Sequence, residues 1–249
     1  MTGTIFITGT TAGIGAAAAR RFAAGGWRVV GTGRRRDRLD SIARELGDSF
    51  HPLALDMRDP QALDSAIAGL PEAFAAIDLL LNNAGLAPPL APLQESELEP
   101  SLQSIETNVT GLVALTRRLL PTLIERKGAV INLSSVAATY PYRGGAVYGG
   151  TKAFVTQFSL DLRSDLHGTG VRVTSIEPGM IETEFTLVRN GWDEAASDAL
   201  YQGMDPMTAE DLAETLWWVA NLPPHVNVNR LELMPVNQSF AGFQVARKG

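Results

Sequence analysis

The chain alternates short, almost continuously apolar runs with longer segments whose apolar residues recur at the spacing of a helix. Runs that are apolar throughout, rather than at every second residue, are typical of strands buried on both faces. Repeated alternation of such strands with helices indicates a parallel sheet covered by helices on both sides. The sequence therefore predicts a doubly wound α/β fold. The seven candidate strands are 4–8, 28–32, 50–55, 78–81, 129–133, 171–176 and 230–234.

No internal repeat, low-complexity tract or flexible linker divides the sequence, so we expect one domain over residues 1–249. A chain of 249 residues with 45% hydrophobic content can bury a large core without a second domain. The segment 179–207 is irregular and polar by comparison with the rest. Because long connections inside compact domains are more often functional than accidental, we expect a substrate lid in this segment.

Charge and residue usage exclude several function classes. The sequence has 27 acidic and 21 basic residues, and a net charge of −6 opposes binding to nucleic acid or to an anionic membrane. The absence of cysteine excludes disulfides, thiolate metal sites and a cysteine nucleophile, and no metal site is expected. The first strand-like run begins at Gly3, too early for a signal peptide, and no apolar run has the length of a membrane span. We therefore expect a cytoplasmic protein.

A glycine-rich turn, "TGTTAGIG", follows the first predicted strand and leads into an alanine-rich helix. At this place in a doubly wound sheet, such a turn lets a pyrophosphate approach main-chain amides and a helix N-terminus. The alternative is that the glycines only allow tight packing of the helix on the strand. The position after the first strand favours a dinucleotide site. The residues expected to contact the cofactor are Thr8, Gly9, Thr11, Gly13, Ile14 and Gly15.

The end of the second predicted strand indicates which dinucleotide binds. The segment "VVGTGRRRDRLD" has no acid at the strand end, where a free ribose hydroxyl would be bound, and has Arg34, Arg35 and Arg36 instead. Guanidinium groups suit a 2′-phosphate, so the sequence favours NADP over NAD, with Arg34 and Arg35 as ligands. Asp37 lies within the window for an acid, but it is more plausible as the N-cap of the next helix. The alternative is a solvated basic corner.

Three further polar features are expected at the same edge of the sheet. "LLLNNAG" places Asn83 after the fourth strand, "INLSS" places Ser135 after the fifth, and "YGGTK" places Tyr148 and Lys152 one helical turn apart. Each has a structural alternative: asparagine forms turns, serine after a strand is usually inert, and a tyrosine–lysine pair can be solvated. Their convergence on one rim favours a common site.

These motifs, in this order, resemble the short-chain dehydrogenase/reductase family, and the similarity covers essentially the whole chain. The resemblance implies a Rossmann fold with seven parallel strands and reversible hydride transfer between a nicotinamide and an alcohol or carbonyl. It implies that Asn108, in "ETNVTG", supports a proton relay through water, that Ser135 rather than Ser134 is the active serine, and that Lys152 contacts the nicotinamide ribose. Further cofactor contacts that it implies are Asp56, Met57, Asn83, Ala84, Gly85, Tyr148, Pro178, Gly179, Ile181 and Thr183.

The proposed chemistry explains why a tyrosine and a lysine are needed together. A phenol with a pKa of about 10 is a weak base near neutrality. A cation about 4 Å away would lower that pKa by roughly two to three units. Tyr148 is thus the expected acid/base and Lys152 the group expected to lower its pKa. Ser135 would hydrogen-bond the substrate oxygen.

The segments "YPYRGGAVYGGTKAF", "EPGM", "TEF" and the tail "LPPHVNVNRLELMPVNQSFAGFQVARK" are most similar to NADP-dependent 3-hydroxy acid dehydrogenases of the serine and allo-threonine type. The resemblance implies a small hydroxy acid, whose carboxylate needs a cation. Arg189 is the leading candidate and Arg143 the second, although both could be solvated. Rival functions are reduction of other ketones or 3-oxoacyl substrates, or dinucleotide sensing without catalysis.

Phe154, Phe158, Leu162 and Leu166 recur every four residues on a side of the helix other than that of Tyr148. This spacing indicates core or subunit packing. Since the resemblance implies helix pairing between subunits, we expect a homotetramer, with a homodimer as the alternative.

Overall fold

The computed structural model describes residues 2–240 and residue 245. Part of the C-terminal segment that carries the family resemblance, and the outer limits of the predicted domain, therefore lie outside the described residues. Among the helices of the described part, none combines the length and the apolar character that crossing a membrane requires.

Seven strands form one parallel sheet in the order β3-β2-β1-β4-β5-β6-β7. This order reverses direction between β1 and β4, as in a doubly wound fold. The predicted α/β fold is confirmed, and each predicted strand is found. The strands are β1 (Thr4–Ile7), β2 (Arg28–Gly33), β3 (Phe50–Ala54), β4 (Ile77–Asn82), β5 (Ala129–Leu133), β6 (Arg172–Pro178) and β7 (Arg230–Leu233).

Helices connect the strands. One long helical stretch runs from α5 through a π-helical turn, Glu106–Gly111, into α6. The helices are α1 (Gly13–Ala24), α2 (Arg36–Leu46), α3 (Pro60–Ala68), α4 (Glu72–Ala75), α5 (Leu98–Ile105), α6 (Leu112–Glu125), α7 (Ala146–Asp165), α8 (Glu184–Arg189), α9 (Glu194–Tyr201) and α10 (Ala209–Ala220).

The core consists of two clusters, one on each face of the sheet. Successive strand residues point to opposite faces, so Ile5 and Ile7 of β1 join one cluster and Phe6 joins the other. The first cluster is covered by α1, α2 and α10, and the second by α3, α6 and α7. Burial of the central strands β1, β4 and β5 on both faces explains why they are apolar almost throughout, whereas the edge strands β3 and β7 are partly exposed.

The parallel arrangement brings the carboxyl ends of β1, β4, β5 and β6 to one rim. Ile7 pairs with Leu81, which in turn pairs with Ile131. The glycine-rich turn, the asparagine loop and the serine that follow these strands therefore start at the same level. This rim is the crevice in which doubly wound folds bind ligands.

The start of α2 and the apolar face of α7 differ in part from the expectations. Asp37 is not the N-cap of α2: Arg35 occupies that position without a side-chain cap, and Asp37 lies in the first turn. On α7, Leu162 belongs to the core, whereas Phe154 is 38% exposed and stacks on Phe158 with ring centroids 5.8 Å apart. The core part of that expectation is confirmed, and the subunit part stays a prediction.

The segment 179–207 contains α8 and α9, two short helices that the irregular sequence did not indicate. An isolated bridge between Ile181 and Met207 joins the two ends of the segment. Its role as a lid stays a prediction, and we refer to it below as the lid segment.

Candidate active site

Tyr148 and Lys152 lie on the first two turns of α7 and face the carboxyl edge of the sheet. Lys152 is 4% exposed, and its Nζ donates a hydrogen bond to the carbonyl oxygen of Leu133 at 2.7 Å. The same Nζ lies 5.7 Å from the centroid of the half-buried Tyr148 ring. The pair is therefore not a solvated surface pair, because both polar tips are directed into the crevice.

Ser134 and Ser135 have different partners. The Ser134 hydroxyl donates to the carbonyl oxygen of Lys152 at 2.8 Å and so supports the main chain of α7. The Ser135 hydroxyl accepts from the amide of Ala137 at 3.1 Å and donates to the carbonyl oxygen of Pro178 at 3.4 Å, and it lies close enough to the Tyr148 phenol to lower the pKa of that group. Ser135 is thus the serine beside the phenol, as the resemblance implies.

The protonation of the site differs from the expectation. Burial raises the pKa of Tyr148 to about 12, with a further increase from Tyr142, and the opposing effects of Ser135 and Arg189 are smaller. Burial also lowers the pKa of Lys152 to about 8. Lys152 is not among the groups that shift the pKa of Tyr148 here, because burial has the largest effect and the ammonium donates to Leu133, and its expected effect on the phenol stays a prediction. Tyr148 is protonated at neutral pH.

Asn108 lies in the π-helical turn, and its side chain connects two parts of the site. The carboxamide exchanges two 2.8 Å hydrogen bonds with the main chain of Leu86 and donates a third, at 2.9 Å, to Thr151. Asn108 therefore holds the loop after β4 against Thr151, which precedes Lys152 on α7. A π-turn inside a helix is often found at functional sites. The expected water relay stays a prediction.

The glycine-rich turn is fastened to the asparagine loop. The Thr8 hydroxyl accepts from the amides of Asn83 and Ala84 at 3.0 and 2.9 Å, and the Asn83 side chain donates to the Thr8 carbonyl at 2.8 Å. Gly9 has φ +74°, and a Cβ there would lie 3.1 Å from Ala84. A Cβ at Gly15 would overlap the carbonyl oxygen of Gly9. Side chains are therefore excluded where the turn is tightest.

The N-terminus of α1 suits an anion. The helix begins at Gly13 with no capping side chain and with no acid in its first turn, so its first amides are available to a phosphate. Thr183 of the lid segment lies over this turn, since a Cβ at Gly13 would be 3.3 Å from it. The residues present therefore fit the pyrophosphate of a dinucleotide.

The basic segment after β2 is only partly exposed. Arg34 is exposed at the strand end, whereas the half-buried Arg35 donates to Thr11 and to Glu184, the latter at 2.8 Å. Arg38 also donates to Glu184, at 2.9 Å. Burial raises the pKa of Glu184, but the two arginines outweigh burial and the net pKa is lowered.

Other predicted cofactor residues line the rim or support it. The Asp56 carboxylate is paired with Arg58 at 2.7 Å, which lowers its pKa, and Met57 is buried. The Gly179 amide donates to the carbonyl of Leu233 at 2.8 Å, which fixes the start of the lid segment at the end of β7. The predicted cofactor residues lie at or after the carboxyl ends of β1, β2, β3, β4 and β6, and their contact with a cofactor stays a prediction: Thr8, Gly9, Thr11, Gly13, Ile14, Gly15, Arg34, Arg35, Asp56, Met57, Asn83, Ala84, Gly85, Pro178, Gly179, Ile181 and Thr183.

The two candidate substrate arginines are placed differently. Arg189 lies with its guanidinium carbon 5.7 Å from the Tyr148 ring centroid, and it donates to the Tyr142 hydroxyl and to the Pro88 carbonyl at 3.2 and 3.1 Å. Arg143 is exposed. The structure therefore places one arginine, Arg189, beside the predicted acid/base.

Three site residues were missed by the sequence reasoning. Glu184 contacts two arginines that lie 149 and 146 positions away in the chain, a pairing that no local pattern indicates. Tyr142 lies within the segment "YPYRGG", but no spacing or motif there marks it as a site residue. The ring of Phe185 lies 5.7 Å from that of Tyr148.

Comparisons with known proteins identify the family of this chain. The family model for short chain dehydrogenase matches residues 3–194. Serine 3-dehydrogenase from Rhizobium radiobacter is 62% identical over 248 residues, covering 100% of both chains. A sulfoacetaldehyde reductase from Chromohalobacter salexigens is 55% identical and covers 98% of both chains. The closed form of a serine dehydrogenase complexed with NADP+ has a TM-score of 0.94 at 48% identity, covering 98% of this chain and 100% of that one. This chain therefore belongs to the short-chain dehydrogenase family.

Proposed function

We propose that this chain is an NADP-dependent oxidoreductase that transfers a hydride between nicotinamide and a small hydroxy acid or its carbonyl form, of the 3-hydroxy acid or serine type. The observation that carries the proposal is the position of Arg189, whose guanidinium lies 5.7 Å from the Tyr148 ring. A substrate oxygen at Tyr148 would leave a nearby carboxylate within reach of this cation. The 62% identity to a serine 3-dehydrogenase supports it.

NADP supplies the hydride acceptor and, when reduced, the hydride donor. The glycine-rich turn and the amides of α1 would bind its pyrophosphate, and Arg34 and Arg35 would bind its 2′-phosphate. Lys152 would hold the nicotinamide ribose. The close structural similarity to a serine dehydrogenase complexed with NADP+ supports this choice of cofactor.

Tyr148 acts as the general acid when a carbonyl is reduced. With a pKa of about 12 the phenol carries its proton at neutral pH and can donate it to the substrate oxygen. Ser135 lies beside Tyr148 and would donate to the same oxygen, in place of its 3.4 Å contact with the Pro178 carbonyl, and stabilise the charge that develops there. In the oxidative direction Tyr148 accepts the proton of the alcohol, and Asn108 supports the path by which it leaves.

A second candidate substrate is an aldehyde that bears a sulfonate. The relative from Chromohalobacter salexigens is named a sulfoacetaldehyde reductase. A guanidinium binds the oxygens of a sulfonate as it binds those of a carboxylate. Other ketones and 3-oxoacyl substrates would share the catalytic residues, but they would not need Arg189.

The assembly and location are part of the proposal. We expect a homotetramer, or alternatively a homodimer, in the cytoplasm. Exposed apolar residues along α5 and α7, with Leu98 70% and Phe154 38% exposed, support helix pairing between subunits. Sedimentation of the purified protein tests the assembly, and a clean monomer would contradict it. Fractionation of cells tests the location.

The decay of nicotinamide absorbance with NADPH and a panel of aldehydes and ketones tests the reaction. Serine, 3-hydroxypropionate and simple secondary alcohols then separate the substrates in the oxidative direction. Tyr148→Phe is expected to retain NADPH binding and to lose turnover by about 100-fold or more, the lower range for general acid–base catalysis. Normal turnover in that variant would refute the assignment, and a chain that binds NADPH but reduces nothing would be a sensor.

A matched pair of arginine variants tests the substrate cation. Arg189→Met is expected to lower kcat/KM for a hydroxy acid by roughly 10- to 100-fold, which is the effect of losing one hydrogen bond to a charged group. The effect on kcat/KM for a neutral alcohol should be smaller. Arg143→Met, which removes an exposed arginine, is the control and should change neither. Equal losses in both variants would contradict the role of Arg189.

A further inference from the structure

Glu184 places a carboxylate on Arg35, one of the two arginines that would bind the cofactor 2′-phosphate, and on the neighbouring Arg38. One of its oxygens accepts from Arg35 at 2.8 Å, and its carboxylate lies 2.8 Å from Arg38. The Glu184 side chain is 19% exposed, and those of Arg35 and Arg38 are 34% and 38% exposed. The three groups thus form a partly desolvated ion cluster, in which charge-assisted hydrogen bonds are stronger than at an open surface.

All three guanidinium nitrogens of Arg35 donate hydrogen bonds within the chain. Its Nε and Nη2 donate to the Thr11 hydroxyl at 3.3 and 3.1 Å, and its Nη1 donates to Glu184. Thr11 belongs to the glycine-rich turn, whereas Glu184 belongs to the lid segment. One N–H on each Nη of Arg35 remains, so a phosphate has to approach the guanidinium beside the Glu184 carboxylate, which repels it unless it is displaced. The carboxylate is the anionic partner, so it occupies the position that suits a phosphate oxygen.

We propose that Glu184 is an internal competitor of the cofactor 2′-phosphate and thereby a residue that determines cofactor selectivity. The inference rests on the proposed NADP dependence. A ribose phosphate carries a charge of about −1.5 to −2 near neutral pH and three acceptor oxygens, against a single charge on Glu184. It can displace the carboxylate from Arg35, whereas the neutral hydroxyl of an unphosphorylated ribose cannot replace the ion pair that it would break.

Arg38 lowers the free-energy cost of displacing Glu184 from Arg35. Because Glu184 has Arg38 as a second partner, the carboxylate can leave Arg35 without becoming an unpaired, partly buried charge. The exchange also concerns the lid segment, because Glu184 is the first residue of α8 and follows Thr183, which lies against Gly13. Removing the carboxylate charge should therefore strengthen phosphate binding rather than weaken it.

Titration calorimetry with two nucleotides that differ only in the 2′-phosphate tests the competition directly. Adenosine 2′,5′-bisphosphate carries that group, and AMP lacks it. Glu184→Gln keeps the size of the side chain and removes its charge. We expect this variant to bind the bisphosphate roughly 3- to 10-fold more tightly than the unchanged chain, because the competent state of Arg35 is populated more often. Binding of AMP should stay within about twofold.

Glu182→Gln is the matched control. Glu182 is exposed and lies two residues earlier on the same segment, so its substitution removes the same charge without touching Arg35 or Arg38. It should leave both titrations within about twofold.

Three results would overturn the competition. They are unchanged or weaker bisphosphate binding in Glu184→Gln, equal tightening for AMP, or an equal gain in Glu182→Gln. If the unchanged chain turns over NADPH while any of these results is obtained, the proposed function stands and the role of Glu184 does not. If no variant binds the bisphosphate and NADPH is not oxidised with any substrate, the proposed function itself fails.

Discussion

Replacing Lys152 by methionine is expected to stabilise the chain at neutral pH while abolishing its turnover. Lys152 is 4% exposed, and burial lowers its pKa to about 8 from the ordinary value of 10.5. The charged ammonium is therefore less stable in the folded chain than in the unfolded chain. At 1.36 kcal/mol per pH unit, this difference corresponds to roughly 3 kcal/mol of lost stability at pH 7.

The gain from the substitution is smaller than this figure. Lys152 donates a 2.7 Å hydrogen bond to the Leu133 carbonyl, and methionine would leave that buried oxygen with one partner fewer. Such a loss costs about 1–3 kcal/mol, which leaves a net gain of order 1 kcal/mol at pH 7. Methionine has a similar length and an unbranched stem, so it can fill the space without a cavity.

The pH dependence separates this explanation from a general packing effect. The folded pKa is lowered, so below pH 8 the amine is charged in both states and its burial cost is present in full. As pH rises from 8 toward 10.5, the folded chain releases the proton before the unfolded chain does, and the cost disappears. The unchanged chain should therefore gain about 2 kcal/mol relative to Lys152→Met between about pH 7 and pH 9.5.

Urea unfolding of both chains at these two pH values measures the difference, since other titrating groups are common to both and cancel. The reasoning is refuted if the stability difference between the two chains is the same at both pH values. A variant that is several kcal/mol less stable at pH 7 would show that the hydrogen bond to Leu133 outweighs desolvation. Loss of turnover in a more stable chain would show that the lysine is retained for chemistry.

Three further predictions concern the rim and its support. Gly15→Ala should weaken NADPH binding by about tenfold or more, because the added Cβ would overlap the carbonyl oxygen of Gly9. Gly150→Ala is the control and should leave binding unchanged, because a Cβ at Gly150 would meet no atom within 4 Å. Fluorescence titration with NADPH measures both. Arg230→Met should lower the free energy of unfolding by about 3 kcal/mol in a denaturant titration, because the fully buried Glu177 loses two charged hydrogen bonds. Oxidative kcat/KM should rise steadily with pH across the neutral range, which lies well below the Tyr148 pKa of about 12, since the basic form of Tyr148 becomes more abundant; a flat profile would contradict its role as base.

The sheet and the rim could be predicted because both depend on local patterns. Strands buried on two faces leave continuous apolar runs, and parallel strands bring their carboxyl ends together, so the places of Ser135 and Asn83 follow from the positions of the strand ends. The four-residue spacing of Tyr148 and Lys152 is likewise a helical property. These predictions required no knowledge of how distant segments meet.

The electrostatics could not be predicted, because they depend on burial and on contacts between distant segments. Spacing indicated that Lys152 is near Tyr148, but not that its ammonium is directed to Leu133 or that burial would raise the pKa of the phenol. The three arginines indicated a phosphate site, but not that Glu184 would occupy part of it. The N-cap of α2 was assigned to Asp37 by residue type, whereas the helix begins two residues earlier in the chain than that assignment requires.

Three cations of the rim each donate a hydrogen bond to a group from another segment of the chain, and these bonds help the site to remain folded. Arg35 is paired with Glu184, Arg189 donates to Tyr142, and Lys152 donates to Leu133. Each of the three thus has a hydrogen-bond partner from another segment, but only Arg35 is paired with an opposite charge, and Lys152 keeps the burial cost that lowers its pKa. A ligand anion then has to displace these partners or bind beside them, since each cation keeps further N–H donors. The affinity of the site is consequently set by the difference between the ligand anion and the internal partner, so the partners determine specificity as much as the cations do.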